Sequence, residues 1–125
     1  MMSEDEAMTS ASARRRTAGR AFAVDAALVL VFAIIGRASH DRGMSVLGVA
    51  ETAWPFLVAL AVGWAAMFVW RAPLRIFPTA VCVWLVTVAG GMLLRAASGQ
   101  GTALAFVIVA AVTLGVFLVG WRLVA

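Results

Sequence analysis

The chain has 125 residues, 64% of them hydrophobic and 13% charged, against about 45–50% and about 25% in soluble domains. A water-soluble core of this size cannot bury so much apolar surface, which excludes an ordinary soluble domain and points to a bilayer. The net charge is +4 and every basic residue is an arginine, yet nucleic-acid binding is not expected, because these arginines flank long apolar runs or lie in a short tail tethered to them.

Residues 1–19 read as a disordered, arginine-rich cytoplasmic tail, with an acidic patch at Glu4, Asp5 and Glu6 ahead of Arg14, Arg15 and Arg16. Residues 20–125 read as a four-helix transmembrane domain, since a spanning helix needs about 20 mostly apolar residues. The expected spans are about 20–36, 52–70, 76–94 and 102–121.

The first span carries Asp25 about one turn inside its tail-side end. A charge at such depth asks for a partner, and Arg71, Arg75 and Arg122 share its expected level, so an intramembrane ion pair with one of them is predicted. A proton relay would place the carboxylate nearer the midplane. The same run could be read as a signal peptide, with Gly36-Arg37-Ala38 as a small-x-small cleavage site; Asp25 and the arginine inside that site weigh against it.

The second span contains Pro55. A start near Thr52 puts the proline in the first turn, whereas a start at Ser45 puts it inside the helix, where it frees the carbonyl of Glu51; length favours the first reading. Arg71 to Arg75 then forms a tight hairpin, and Pro78 suits the opening turn of the third helix. Ser98-Gly99-Gln100-Gly101 is turn chemistry, with Thr102 as the expected N-cap of the last helix. Trp54, Trp70 and Trp121 end their runs and suit the headgroup level, while Trp64 and Trp84 read as packing residues.

Arg14, Arg15, Arg16, Arg20, Arg71, Arg75 and Arg122 fall on one side of this four-pass arrangement, and Arg37, Arg42 and Arg95 on the other. The positive-inside tendency then puts both termini in the cytoplasm and the protein in the cell (inner) membrane. The opposite side gathers Arg37, His40, Asp41, Glu51 and Arg95 as a candidate polar or ligand site; the plainer reading is a set of interfacial salt bridges. A lone His40 and a lone Cys82 rule out a one-chain zinc site of the usual nitrogen and sulfur ligands, and no cofactor is expected. The sequence places no nucleophile beside a base, so no catalytic residue and no enzyme is expected.

Two roles remain open. One is a small-solute or ion transporter or channel subunit using the outer polar group, which with only four helices would need a homo-oligomer to enclose a path. The other is a non-transporting membrane assembly or accessory protein. Asp25, Phe32, Gly36-Arg37-x-Ser39-His40-Asp41, Trp54-Pro55-Phe56, Gly63-Trp64, Gly91-Met92-Leu93-Leu94-Arg95, Gly99-Gln100-Gly101-Thr102 and Gly120-Trp121-Arg122, in this order, resemble a family of small four-helix prokaryotic integral membrane proteins of unknown function. The resemblance runs from about Ala21 to the C-terminus. It implies the all-α four-helix transmembrane bundle and an uncleaved first span, and it carries no site residue across.

Overall fold

The structure, a computed structural model, describes residues 3–39 and 45–125. It is all-α: α1 (Glu4–Ser39), α2 (Val46–Ala66), α3 (Val81–Ala97) and α4 (Leu104–Val124). Among the described residues four helical segments are long and apolar enough to cross a membrane, the third of them Ile76–Ala97, which includes the turn leading into α3. Each packs against its neighbours in sequence, and α1 closes the ring against α4.

The core is drawn from single stripes. Ala18, Ala21, Asp25, Val29 and Phe32 are buried at three- and four-residue spacing on α1, Val83, Thr87, Gly91 and Arg95 at four-residue spacing on α3, and Ala110, Leu114, Leu118 and Arg122 likewise on α4. Such spacing keeps side chains on one helical face. The opposite faces expose Leu30, Ile34, Val58, Val62, Leu85, Ile108, Val112 and Val116. An apolar outer surface of this kind needs hydrocarbon around it, and the protein is therefore a multi-pass membrane protein.

Three boundaries differ from expectation. The segment read as a disordered tail is helical from Glu4, because Ser3 and Glu6 form a capping box: the Glu6 N–H donates to Ser3 Oγ at 3.2 Å and the Ser3 N–H to Glu6 Oε2 at 3.0 Å. Glu4, Asp5 and Glu6 also complement the positive end of the helix dipole. Likewise, α2 begins at Val46 rather than Thr52, with Ser45 Oγ accepting from the Gly48 N–H at 3.0 Å as its N-cap. Having started early it stops early, and the connection to α3 is more than a tight turn. It runs from Met67 through a 3₁₀ turn at Val69–Arg71 and a single wide turn at Ile76–Ala80 that holds Pro78.

The α3–α4 turn closes as a Schellman motif. Gly99 sits at φ +78°, with its N–H donating to the Ala96 carbonyl at 3.2 Å and the Gln100 N–H donating to Arg95 O at 2.8 Å. The N-cap position of α4 is Ala103, not Thr102, and no side chain caps it.

Candidate functional site

Two polar centres lie inside the bundle, one near each end. Asp25 and Arg37 are separated by twelve positions of α1, about 18 Å along the helix axis.

The first centre surrounds Asp25, whose side chain is fully buried. Arg122 pairs with it in a two-pronged contact, Nη1 to Oδ1 and Nη2 to Oδ2, both at 2.8 Å. Two indoles complete the shell: Trp121 Nε1 donates to Oδ1 at 2.8 Å and Trp64 Nε1 to Oδ2 at 2.9 Å. Arg122 also donates from Nε to the Pro73 carbonyl at 2.7 Å and from Nη1 to Leu118 O at 2.7 Å. Of the three arginines considered from sequence, Arg122 is thus the partner. Arg71 lies instead over the Phe68 ring at 4.7 Å, and Arg75 is exposed.

A buried ion pair is favourable only when the remaining polar valences are met. Here each carboxylate oxygen accepts two hydrogen bonds, and the fork geometry of arginine matches the carboxylate. The cluster therefore joins α1, α2, α4 and the α2–α3 connection at one point. Trp64 and Trp121 act as hydrogen-bond donors to a buried charge, beyond the packing and headgroup roles suggested by their positions. A depth match between an indole N–H and a buried carboxylate would have been the signal.

The second centre lies at the end where α1 runs out and α4 begins. Arg37, Thr52, Arg95 and Phe106, with the backbones of Gly36 and Gly101, line a cavity of about 210 Å³. Arg37 Nη1 donates to Thr52 Oγ1 at 3.2 Å. Arg95, 4% exposed, donates from Nε to Gly101 O at 2.9 Å and from Nη1 to Gln100 Oε1 at 2.8 Å, and its guanidinium lies 4.3 Å from the Phe106 ring centre.

Pro55 explains how α2 enters this network. Lying inside the helix, it has no N–H to give to the carbonyl four residues back, and that carbonyl, Glu51 O, instead accepts from Gln100 Nε2 at 3.1 Å. Gln100 thereby bridges Arg95 and α2.

Of the residues gathered from sequence, the structure brings Arg37 and Arg95 to one cavity. Glu51 contributes its backbone carbonyl; its side chain is exposed and does not line the cavity. His40 and Asp41, with Arg42, lie outside the described residues. Thr52 and Gln100 were not among the sequence candidates. Their roles arise from the early start of α2 and the resulting free carbonyl, which hydropathy alone does not register.

Gly48 sets the position of Arg37. A Cβ there would meet the guanidinium at 2.5 Å from Nη2 and 2.6 Å from Cζ. Because the obstacle is the far end of a flexible side chain, Gly48→Ala is expected to swing Arg37 aside without unfolding the bundle. Ala is favoured over Gly within a helix by about 0.8–1.0 kcal/mol, so the melting temperature in detergent should hold or rise slightly.

Between the two centres the interior is sealed. Val29, Phe32, Phe56, Leu60, Val83, Leu114 and Leu118 are 0–1% exposed, and Phe32 meets Phe56 edge to face at 5.2 Å. Among the described residues no group of three metal-ligating side chains occurs.

A family model described as "Protein of unknown function (DUF3054)" matches residues 22–125, and the chain belongs to that family. No curated protein and no solved structure matches the chain.

Proposed function

We propose that this DUF3054 member binds a small anion in the Arg37–Arg95 cavity and works as a transporter or transporter subunit in the cell membrane, with both termini cytoplasmic. The observation that carries this reading is the convergence of two guanidinium groups and the Thr52 hydroxyl on one cavity of about 210 Å³. Arginine in a partly dehydrated site offers several fixed donors and a charge that cannot be lost by deprotonation, which suits an anion in exchange with water. A cavity of this volume fits an ion or a solute of a few atoms rather than a drug-sized molecule.

The sealed interior argues against a permanently open pore within one chain. A carrier that rearranges, or a path formed between copies, accords with it better. Glu51, central to the sequence-based site, plays no side-chain part in this reading.

The test is flux from liposomes holding the purified full-length protein, with chloride, nitrate and phosphate each loaded in turn. One of these anions should leave faster than from empty liposomes. Gly48→Ala and Arg95→Gln should each slow it by about ten-fold or more, the size of one lost hydrogen bond to a charged group. No flux for any of the three, with Arg95→Gln changing only thermal stability, would leave the non-transporting assembly reading in its place. That second reading draws support from the Asp25–Arg122 cluster, whose satisfied bonds tie the helices together rather than opening between them.

A further inference from the structure

The helical extension of α1 carries the bundle-facing stripe past the bundle. Ala18, Ala21 and Asp25 are buried, and continuing the same three- and four-residue spacing outward reaches Arg15, Arg14 and Ala11. These positions, Ala11, Arg14, Arg15 and Ala18, face Trp70 and Arg71 of the α2–α3 connection across an open cleft. Its walls thus bring together three arginines and one tryptophan, with Arg15 Nη2 also donating to Ser12 Oγ at 3.4 Å.

Among the described residues no carboxylate pairs with Arg14, Arg15 or Arg71. Asp5 lies on a different face, in a groove with Arg16. The indole side of the cleft is braced, since Phe68 stacks edge-on against Trp70 at 5.3 Å and also lies beneath the Arg71 guanidinium at 4.7 Å.

Depth identifies the occupant. Arg37 marks one edge of the apolar zone on α1, and the hydrocarbon layer is about 30 Å thick, or about 20 helical residues. Counting back along the helix, the apolar run ends at the exposed Arg20, and Arg15 and Arg14 lie five and six residues, about 8–9 Å, further out, at the level of the lipid phosphates. Tryptophan also prefers this level.

We propose that the cleft between the α1 extension and the α2–α3 connection is a binding site for the phosphate headgroup of an anionic phospholipid. Arg14, Arg15 and Arg71 hold the phosphate, and Trp70 packs beside the glycerol region. The site lies at the opposite end from the Arg37–Arg95 cavity and does not depend on its role.

The test is native mass spectrometry of the full-length protein released from micelles containing equal phosphatidylglycerol and phosphatidylcholine. Wild-type protein should retain phosphatidylglycerol preferentially. Each of Arg14→Gln, Arg15→Gln and Arg71→Gln should reduce that preference about five-fold, the effect of one basic residue at a charged membrane surface. Arg16→Gln, on the other face, should leave it within about two-fold, as expected for a charge outside the contact. Equal retention of both lipids, an unchanged preference in the Arg14→Gln/Arg15→Gln protein, or an equal loss in Arg16→Gln would overturn the site. Inorganic phosphate at millimolar concentration should leave the lipid bound; displacement would assign the cleft to a soluble phosphate and overturn the lipid.

Discussion

Replacing Asp25 with alanine is expected to destabilise the bundle by about 3–5 kcal/mol, the penalty for removing one partner of a buried ion pair. The loss does not stop at one bond. Arg122 would be left charged and buried without its counter-ion, and the indole N–H groups of Trp64 and Trp121 would lose their acceptor. Asp25→Asn should be less damaging, because it retains an acceptor oxygen, but its amide would turn donors toward Arg122 or an indole. The double variant Asp25→Ala/Arg122→Leu should recover much of the loss, since removing both charges leaves neither stranded. Unfolding in detergent followed by tryptophan fluorescence measures all three. Wild-type stability in Asp25→Ala would refute the account of this cluster as a tie between α1 and α4.

A second large effect is expected at Gly91. A Cβ there would overlap the Phe56 ring, including Cδ1 and Cε1. Unlike the arginine beside Gly48, this ring cannot swing away: it is fully buried, edge-on to Phe32 at 5.2 Å and 6.2 Å from Phe106. Gly91→Ala should therefore cost about 1–3 kcal/mol through overpacking, and Gly91→Val more. Thermal unfolding beside Gly48→Ala makes the comparison direct. If the two alanine variants melt alike, the close approach of α2 and α3 at Gly91 is not a constraint. Because Phe106 also lines the Arg37–Arg95 cavity, a displaced Phe56 is expected to weaken anion flux as well.

The residues singled out from sequence differ in how they could be read. Asp25 was conspicuous because a carboxylate within an apolar run demands compensation. Its partner was not, since Arg71, Arg75 and Arg122 all reach similar depth, and choosing among them requires knowing which helix faces which. Arg37 and Arg95 stood out as charges on the side with fewer arginines. Gln100 did not, because its role depends on a carbonyl freed by Pro55, and that depends on where α2 starts. The capping box at Ser3 and Glu6 is written in the sequence as Ser-x-x-Glu ahead of good helix formers, but the reading of residues 1–19 as a tail rested on their polarity alone.

The stretches that carried the family resemblance meet in space. Asp25, Trp64, Trp121 and Arg122 form one centre, and Gly36, Arg37, Arg95, Gln100 and Gly101 the other. Phe32, Phe56 and Gly91 fill the space between.

The sequence alone determined that four helices cross a bilayer, because span length and apolar content are local properties set by the thickness of hydrocarbon and the rise of a helix. It also determined that Asp25 must be neutralised, since that follows from burial whatever the fold. Only the tertiary structure decided which arginine neutralises it and that two tryptophans share the task. Only the tertiary structure, too, brought Arg37 and Arg95 to one cavity while turning the side chain of Glu51 away from it. The rotation of one helix against another decides such contacts, and hydropathy along a single chain does not encode that angle.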